Sequence, residues 1–119
     1  MKLPNYELAT VPQRKITEYL LSPAHATGRA KAGFFSRFGY TAENWQLLAS
    51  ALLNHAAVHD VVKTEPSPFG TRYVIEGEFD ALDGRKPQVR SIWFIGHNEQ
   101  IPRFVSAYPL KGQRRRGEG

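Results

Sequence analysis

The hydrophobic pattern of this 119-residue chain changes period near Asn54, and this change constrains the fold more than any other feature of the sequence. Before Asn54 the apolar residues recur every three or four positions, as they do along one side of a helix. After Asn54, β-branched and aromatic residues alternate with polar ones, as they do in strands. Helices followed by strands, joined by short connections, predict an α+β domain in which about three N-terminal helices pack on a four-stranded antiparallel meander.

Two helices are predicted before residue 40. The first begins at Pro12, whose fixed φ suits the first turn of a helix, and ends before Pro23. The second runs from an N-cap at Thr27 to Phe38, and Gly39 can take the left-handed conformation that often follows a helix. The apolar stripe of the first helix consists of Ile16, Tyr19 and Leu20.

A third helix is predicted from a cap at Thr41 to about Asn54. Just beyond that expected end, His55 and His59 have a spacing that would suit a metal ion only if both lay on a helix. No third ligand stands out near them, and His97 lies in a polar turn where we expect it to be exposed. The sequence therefore predicts no metal site. The apolar stripe of this helix consists of Trp45, Leu48 and Leu52.

Four strands are predicted in the second half, and the segments between them contain turn-forming residues. The prolines of EPSPFG cannot donate hydrogen bonds to a sheet, LDGRKP contains an Asp-Gly pair, and GHNEQIP is a short polar loop. Trp93, flanked by Ile92 and Phe94, is expected in the core. The predicted strands cover residues 58–63, 71–79, 89–95 and 103–108.

The net charge of +5 is unevenly distributed along the chain. Residues 111–119 contain four basic side chains and one acidic side chain, so they hold three of the five excess positive charges. We therefore predict a single domain over residues 1–110 and a basic tail over residues 111–119. The tail is either a disordered end or an arm that follows phosphates.

Composition excludes several classes of protein. With no cysteine, the chain has no disulfide framework, no thiolate chemistry and no cysteine-containing zinc site. Its apolar runs are far shorter than a membrane span, and its N-terminus lacks the apolar region of a secretory signal. We expect a soluble, cytoplasmic protein without a membrane partner.

The stretch SPAHATGRAKAGFF, residues 22–35, contains the first candidate site. On a helix that starts at Thr27, Lys31 falls on the same side as the phenylalanines that we expect in the core, while Arg29 lies opposite. Lys31 either extends past the helix end to solvent or lies at the rim of an anion-binding cleft. His25, just ahead, either bonds the backbone or transfers protons. The phenylalanines are Phe34, Phe35 and Phe38.

Basic and hydroxyl side chains on the strands are the candidate partners of Lys31. Ser106 and Tyr108 are expected on one face of the last strand together with Phe104. For each basic residue, a surface ion pair is the alternative to a role in a site. The basic residues are Arg72, Arg85, Arg90 and Arg103.

Several motifs resemble an uncharacterised bacterial domain family that occurs as small stand-alone proteins and at the C-termini of polymorphic toxins and phage-associated proteins. They are KITEYLLSPAHATGRAKAGFF, FGTRY, DGR, VRSIWFI and PRFVSAYP, and together they span nearly all of residues 3–109. The resemblance implies a relationship to the barnase, EndoU and RelE-like ribonuclease fold, in which helices pack on a four-stranded antiparallel sheet.

The resemblance also implies a site and an activity. The family pattern maps onto His25, Gly28, Lys31, Arg103 and Ser106, and serine keeps the hydroxyl where the family often has threonine. We expect metal-independent RNA cleavage by 2′-OH transesterification, without a cofactor, with catalytic roles for His25, Lys31, Arg103 and Ser106. The residues expected to bind substrate are Gly28, Arg29, Arg72 and Tyr108.

The expected partners are RNA and a cognate antitoxin or immunity protein. The alternative is a non-catalytic module of the same fold that binds protein or nucleic acid. Residues 1–110 hold only two of the five excess positive charges. This small charge favours the alternative, since ribonucleases concentrate more positive potential on the substrate face.

Overall fold

Three helical segments precede a four-stranded sheet in the structure, a computed structural model that describes residues 1–22 and 29–110, with the backbone alone for residues 29–32. A short 3₁₀ turn, Tyr6–Leu8, comes first. Helix α1 (Gln13–Lys15) continues directly into a π-helical segment (Ile16–Leu20). The other helices are α2 (Arg29–Ser36) and α3 (Trp45–Val58). The strands are β1 (Val61–Ser67), β2 (Gly70–Glu78), β3 (Gln88–Gly96) and β4 (Arg103–Pro109).

The four strands form one antiparallel sheet in the order β1-β2-β3-β4, so the predicted α+β fold with a meander is confirmed. The register between β3 and β4 shifts between Ile92, which pairs with Ser106, and Trp93, which pairs with Phe104. Val105 is therefore an extra residue in β4, a β-bulge. The expectation that Phe104 shares a face with Ser106 and Tyr108 is wrong, because the bulge interrupts the alternation of side chains.

One face of the sheet is covered by the helices, and the hydrophobic core lies between them. The phenylalanines of α2 and the segment after it are buried there, as predicted, and Trp93 is completely buried against Phe104 with ring centroids 5.4 Å apart. The sheet contributes Ile75, Val89, Trp93, Phe104 and Ala107 to this core, and the helices contribute Ile16, Leu20, Phe34, Phe35, Leu48, Leu52 and Ala56.

Helix α3 ends later than the sequence suggested. It continues past Asn54 to Val58, and β1 accordingly starts at Val61 rather than at Val58. The physical reason is that His55 and Ala56 extend the buried stripe by two further positions, because His55 finds hydrogen-bond partners in the core. The valines that follow Asn54 were mistaken for the start of a strand.

The predicted turn between α2 and α3 is partly confirmed. Gly39 has a positive φ of 100°, as expected, although α2 itself stops at Ser36 and not at Phe38. Thr41 does not begin α3 directly, since the helix starts at Trp45 after a turn. In that turn the backbone N–H of Asn44 donates to Thr41 Oγ1 over 3.3 Å, and the backbone N–H of Thr41 donates to Asn44 Oδ1 over 2.7 Å.

Within the described residues, no helix is both long enough and apolar enough to cross a membrane. The predicted cap at Thr27 and the predicted basic tail, residues 111–119, lie outside the described residues.

Candidate functional site

The sheet face opposite the helices carries a groove of about 430 Å³, which we call the open face. Val74 and Ile92 pair with each other across β2 and β3 and form its apolar floor. Charged and aromatic side chains stand around this floor. The groove is lined by Val62, Lys63, Glu65, Arg72, Val74, Glu76, Arg90, Ile92 and Tyr108.

Arg90 is the most strongly held cation of the open face. Its Nε donates to Glu76 Oε2 over 2.7 Å, and its guanidinium carbon lies 5.7 Å from the centre of the Tyr108 ring. Hydrogen bonding to Tyr108, and then to Glu76, keeps the pKa of Arg90 above its ordinary value. The guanidinium is therefore a fixed positive charge, flanked by an aromatic ring on which a planar group can stack.

A second cationic group lies at the β1 end of the groove. Glu65 is shared between Lys63, with Nζ at 3.1 Å, and Arg72, with Nε at 3.6 Å. Both cations are about half exposed or more, and together with Arg90 they face two carboxylates, those of Glu65 and Glu76. The described lining of the groove is thus weakly positive and not strongly basic.

A hydroxyl pair lies next to the groove on β4. Ser106 pairs with Ile92 in the sheet, which puts its side chain on the open face two residues from Tyr108. Ser106 is 7% exposed, and its Oγ is 3.2 Å from the hydroxyl oxygen of Tyr19, which the π-helical segment presents. A buried hydroxyl with a fixed partner can bind an oxyanion with little reorganisation.

Arg103 does not line this groove. It lies at the start of β4, where its guanidinium is 3.7 Å from Glu99 and 5.6 Å from the centre of the Phe94 ring. It instead borders a separate depression with Leu8, Thr10 and Ile101. Arg85 also lies elsewhere, paired with Asp83 at 2.7 Å and donating to the carbonyl of Arg37.

The predicted residues of the opening stretch cannot be placed in this groove. His25 and Gly28 lie outside the described residues, and for Arg29 and Lys31 only the backbone is described. That backbone belongs to α2, which packs against β4, the strand of Arg103, Ser106 and Tyr108.

The covered side of the sheet contains a different polar group, centred on His55. Trp93 Nε1 and His55 Nδ1 both lie 2.9 Å from Ser91 Oγ, and His55 Nε2 lies 3.1 Å from the carbonyl oxygen of Gly77. A carbonyl only accepts, so Nε2 carries the proton, and the Ser91 hydroxyl donates to Nδ1 while accepting from the indole. Burial lowers the pKa of His55. His55 is thus a neutral, fully paired structural histidine.

His59, the other histidine of the spacing noted in the sequence, is the residue after the end of α3. Its Nε2 lies 2.7 Å from the carbonyl oxygen of Glu78, and its ring lies 5.0 Å from that of His55. Among the described residues, no three histidine, cysteine, aspartate or glutamate side chains form a group that could hold a metal ion. His97 is exposed, as predicted.

Two contributors to the open face escaped the sequence analysis. Tyr19 was recognised as part of a buried stripe, yet a buried tyrosine needs a partner for its hydroxyl, and that requirement was the available clue. For Glu76, no role was predicted. Its alternation with Arg72 and Val74 along one strand could have placed it on the face of the basic residues.

Sequence similarity connects the chain to a known domain family. The model of a domain family of unknown function, DUF6883, matches residues 2–111. No curated protein matches the chain in sequence.

The fold is shared with a solved structure. It is titled a contact-dependent growth inhibition toxin and immunity protein complex from Klebsiella pneumoniae 342. One of its chains superposes with a TM-score of 0.67 at 16% sequence identity, and the match covers 86% of this chain and 100% of that one. At this level of identity the likeness establishes the fold alone.

Proposed function

We propose that this chain, which belongs to the DUF6883 family, is a toxin-type domain that cleaves RNA without a metal ion. The observation that carries the proposal is the open face, where the hydroxyl of Ser106, the cation of Arg90 and the ring of Tyr108 are neighbours on two paired strands. A hydroxyl, a fixed cation and an aromatic ring are the groups that hold a phosphate and an adjacent base.

In the proposed reaction the ribose 2′-OH attacks the adjacent phosphorus. A bond forms between the 2′ oxygen and phosphorus, the bond from phosphorus to the 5′ oxygen breaks, and a 2′,3′-cyclic phosphate and a 5′-OH remain. His25 takes the proton of the 2′-OH or gives one to the leaving 5′ oxygen. Lys31 and Arg90 stabilise charge on the phosphoryl oxygens, and Ser106 bonds one of those oxygens. Arg103, which borders the separate depression at the start of β4, contacts a neighbouring phosphate of the substrate in this proposal.

The remainder of the substrate lies across the open face in this proposal. An unstacked base can rest on the apolar floor of Val74 and Ile92 beside Tyr108, since stacking on aromatic side chains is how proteins hold single-stranded bases. Arg72, which lines the groove on its β1 side, contacts a second phosphate in the same proposal. Gly28 and Arg29 also bind the substrate in this proposal.

A cognate inhibitor protein is part of the proposal. It is supported by the fold shared with a chain of a complex whose title names a toxin and an immunity protein. Because its substrate is RNA, such a domain acts in the cytoplasm in this proposal. The inhibitor protein would have to bind the domain there before the domain reached RNA.

The test is cleavage of total RNA and tRNA by the purified protein in EDTA. We expect the wild type to yield 2′,3′-cyclic phosphate ends, and His25→Ala, Lys31→Ala and Ser106→Ala each to lower the rate at least about tenfold. His97→Ala, which removes an exposed histidine, is the matched control and should cleave at the wild-type rate. Intact RNA with the wild type, or equal rates for all variants, would refute the mechanism.

A non-catalytic binding module is the second candidate, and one observation favours it. Glu65 and Glu76 neutralise much of the positive charge on the open face, which weakens its attraction for a polyanion. On this alternative the protein binds RNA or a partner protein, and RNA incubated with it in EDTA stays intact.

A further inference from the structure

We propose that Tyr19 is a positioning residue that sets the direction of the Ser106 hydroxyl, an inference that rests on the proposed function of the open face. The contact that carries it is the 3.2 Å distance between the two hydroxyl oxygens, which joins the first helical segment to β4 across 87 positions of the chain. Tyr19 was not among the residues to which the sequence assigned a role in the site.

The polarity of this hydrogen bond decides what Ser106 can do. A serine hydroxyl has one proton and two lone pairs, and a tyrosine hydroxyl is equally able to donate or accept. If Ser106 donates its proton to a phosphoryl oxygen, Tyr19 must be the donor between them. The resulting chain runs from the Tyr19 O–H to Ser106 Oγ, and from the Ser106 O–H to the phosphate. Successive bonds of one polarity strengthen each other.

The surroundings of Tyr19 hold its hydroxyl in place. Ile16 and Leu20, on the same π-helical segment, are completely buried in the core and anchor the turn. The Leu21 N–H donates to the Ile16 carbonyl over 2.8 Å, the five-residue spacing of a π-helix. Single π-helical turns are common at functional sites. A hydroxyl on such a supported turn is positioned more narrowly than one on a loop.

A cation next to the phenol ring favours the donor role of Tyr19. Lys15 Nζ lies 5.3 Å from the centre of the Tyr19 ring. A positive charge close to a phenol draws electron density from its oxygen, so the O–H becomes a better donor and a poorer acceptor. The polarity that the phosphate requires is therefore the one that this environment promotes.

A double-mutant cycle tests the inference. Tyr19→Phe keeps the ring and removes the hydroxyl, Ser106→Ala removes its partner, and the two are combined. We expect Tyr19→Phe to lower kcat of RNA cleavage about three- to tenfold, the worth of one hydrogen bond, with little change in KM. In the Ser106→Ala background the same change should cost less than about twofold. Ser106→Thr keeps the hydroxyl and should restore sensitivity to Tyr19→Phe.

Two controls separate positioning from stability. Tyr73→Phe removes a hydroxyl from a partly buried tyrosine on the covered face and should leave kcat unchanged. Circular dichroism and the thermal midpoint of each variant establish that it is folded. A loss of kcat that is equally large with and without the Ser106 hydroxyl overturns the inference, and so does an unchanged kcat in Tyr19→Phe.

A second readout keeps this inference distinguishable from the proposed function. An RNA oligonucleotide with 2′-O-methyl groups binds without being cleaved, so its dissociation constant can be measured for the same cycle. If the wild type fails to cleave RNA but binds this probe, the ribonuclease proposal fails, and Tyr19 is judged by binding alone. The inference is supported if Tyr19→Phe weakens binding of the probe in the wild-type background and has no effect on binding in the Ser106→Ala background. Absence of any wild-type binding and cleavage overturns both proposals.

Discussion

Two serines, Ser91 on the covered face of the sheet and Ser106 on the open face, are both buried and both hydrogen-bonded, yet their surroundings differ. Ser91 lies between His55 and Trp93, and its hydroxyl donates to one and accepts from the other, deep in the core. Ser106 meets Tyr19 at the margin of a groove lined with cations. A histidine beside a serine is thus no evidence of catalysis here. The serine next to exposed charges is the better candidate.

The covered network should dominate stability. His55→Ala leaves a cavity and removes partners from the Ser91 hydroxyl and the Gly77 carbonyl, so we expect the free energy of unfolding to fall by about 3 kcal/mol or more. Urea unfolding followed by circular dichroism measures the loss. The control, His97→Ala, lies on the surface and should change it by less than about 0.5 kcal/mol. Similar stability for the two variants would contradict the structural role of His55.

Replacing each serine sharpens the comparison. Ser91→Ala strands the indole N–H and one nitrogen of His55 in the core and should cost about 2 kcal/mol of folding free energy. Ser106→Ala should cost about 1 kcal/mol or less, the net worth of one hydrogen bond, but should abolish most RNA cleavage. Unfolding midpoints and cleavage rates at a temperature where both proteins are folded decide this. A larger loss of stability in Ser106→Ala together with a larger loss of cleavage in Ser91→Ala would contradict the roles given to the two faces.

The covered network should also make stability depend on pH. Burial lowers the pKa of His55 below its unfolded value of about 6.5, so the unfolded chain binds the proton more tightly. The free energy of unfolding is therefore highest above pH 6.5 and falls as the pH drops towards the folded pKa. The slope from this residue is at most about 1.4 kcal/mol per pH unit.

Unfolding measured between pH 7 and pH 5 checks this dependence. His55→Gln removes the titrating group and should flatten the slope over that interval. An equal slope with and without His55 would show that other groups cause the pH dependence.

Charge on the open face should produce the smallest effects. Glu76→Gln removes the carboxylate that is paired with Arg90. The variant should therefore bind a 2′-O-methyl RNA several-fold more tightly at low salt. Arg90→Ala should weaken it by a similar factor. Both changes should shrink as salt rises, since these side chains are partly exposed. Weaker binding of RNA by Glu76→Gln would mean that the carboxylate of Glu76 helps by holding Arg90 in position more than it hinders by neutralising the charge of Arg90.

The order of elements was predictable because it depends on local periodicity. The burial of Trp93 was predicted because apolar residues flank it on both sides, and the turn at Gly39 was predicted from the freedom of glycine to adopt a positive φ. The predicted end of α3 was wrong because the valines after Asn54 indicated a strand, whereas the helix continues with His55 in the core, where both of its ring nitrogens have hydrogen-bond partners.

The site was less predictable because it depends on contacts between distant segments. Nothing local marks Val105 as the bulged residue that separates the face of Phe104 from that of Ser106. The bond between Tyr19 and Ser106 likewise arises only when the π-helical segment that follows α1 lies against β4. The roles of Arg72, Tyr108 and Ser106 remain predictions, now with neighbours that can be mutated.

Our main proposal is that RNA binds the open face and not the helical face. Its most direct test is a titration of the ¹⁵N-labelled full chain with 2′-O-methyl RNA, followed by amide and indole chemical shifts. We expect the largest shifts at Arg72, Arg90 and Tyr108, with the indole signal of Trp93 unchanged because it is sealed in the core. Shifts confined to α3 and the Trp93 indole, with the three open-face residues unmoved, would contradict the account.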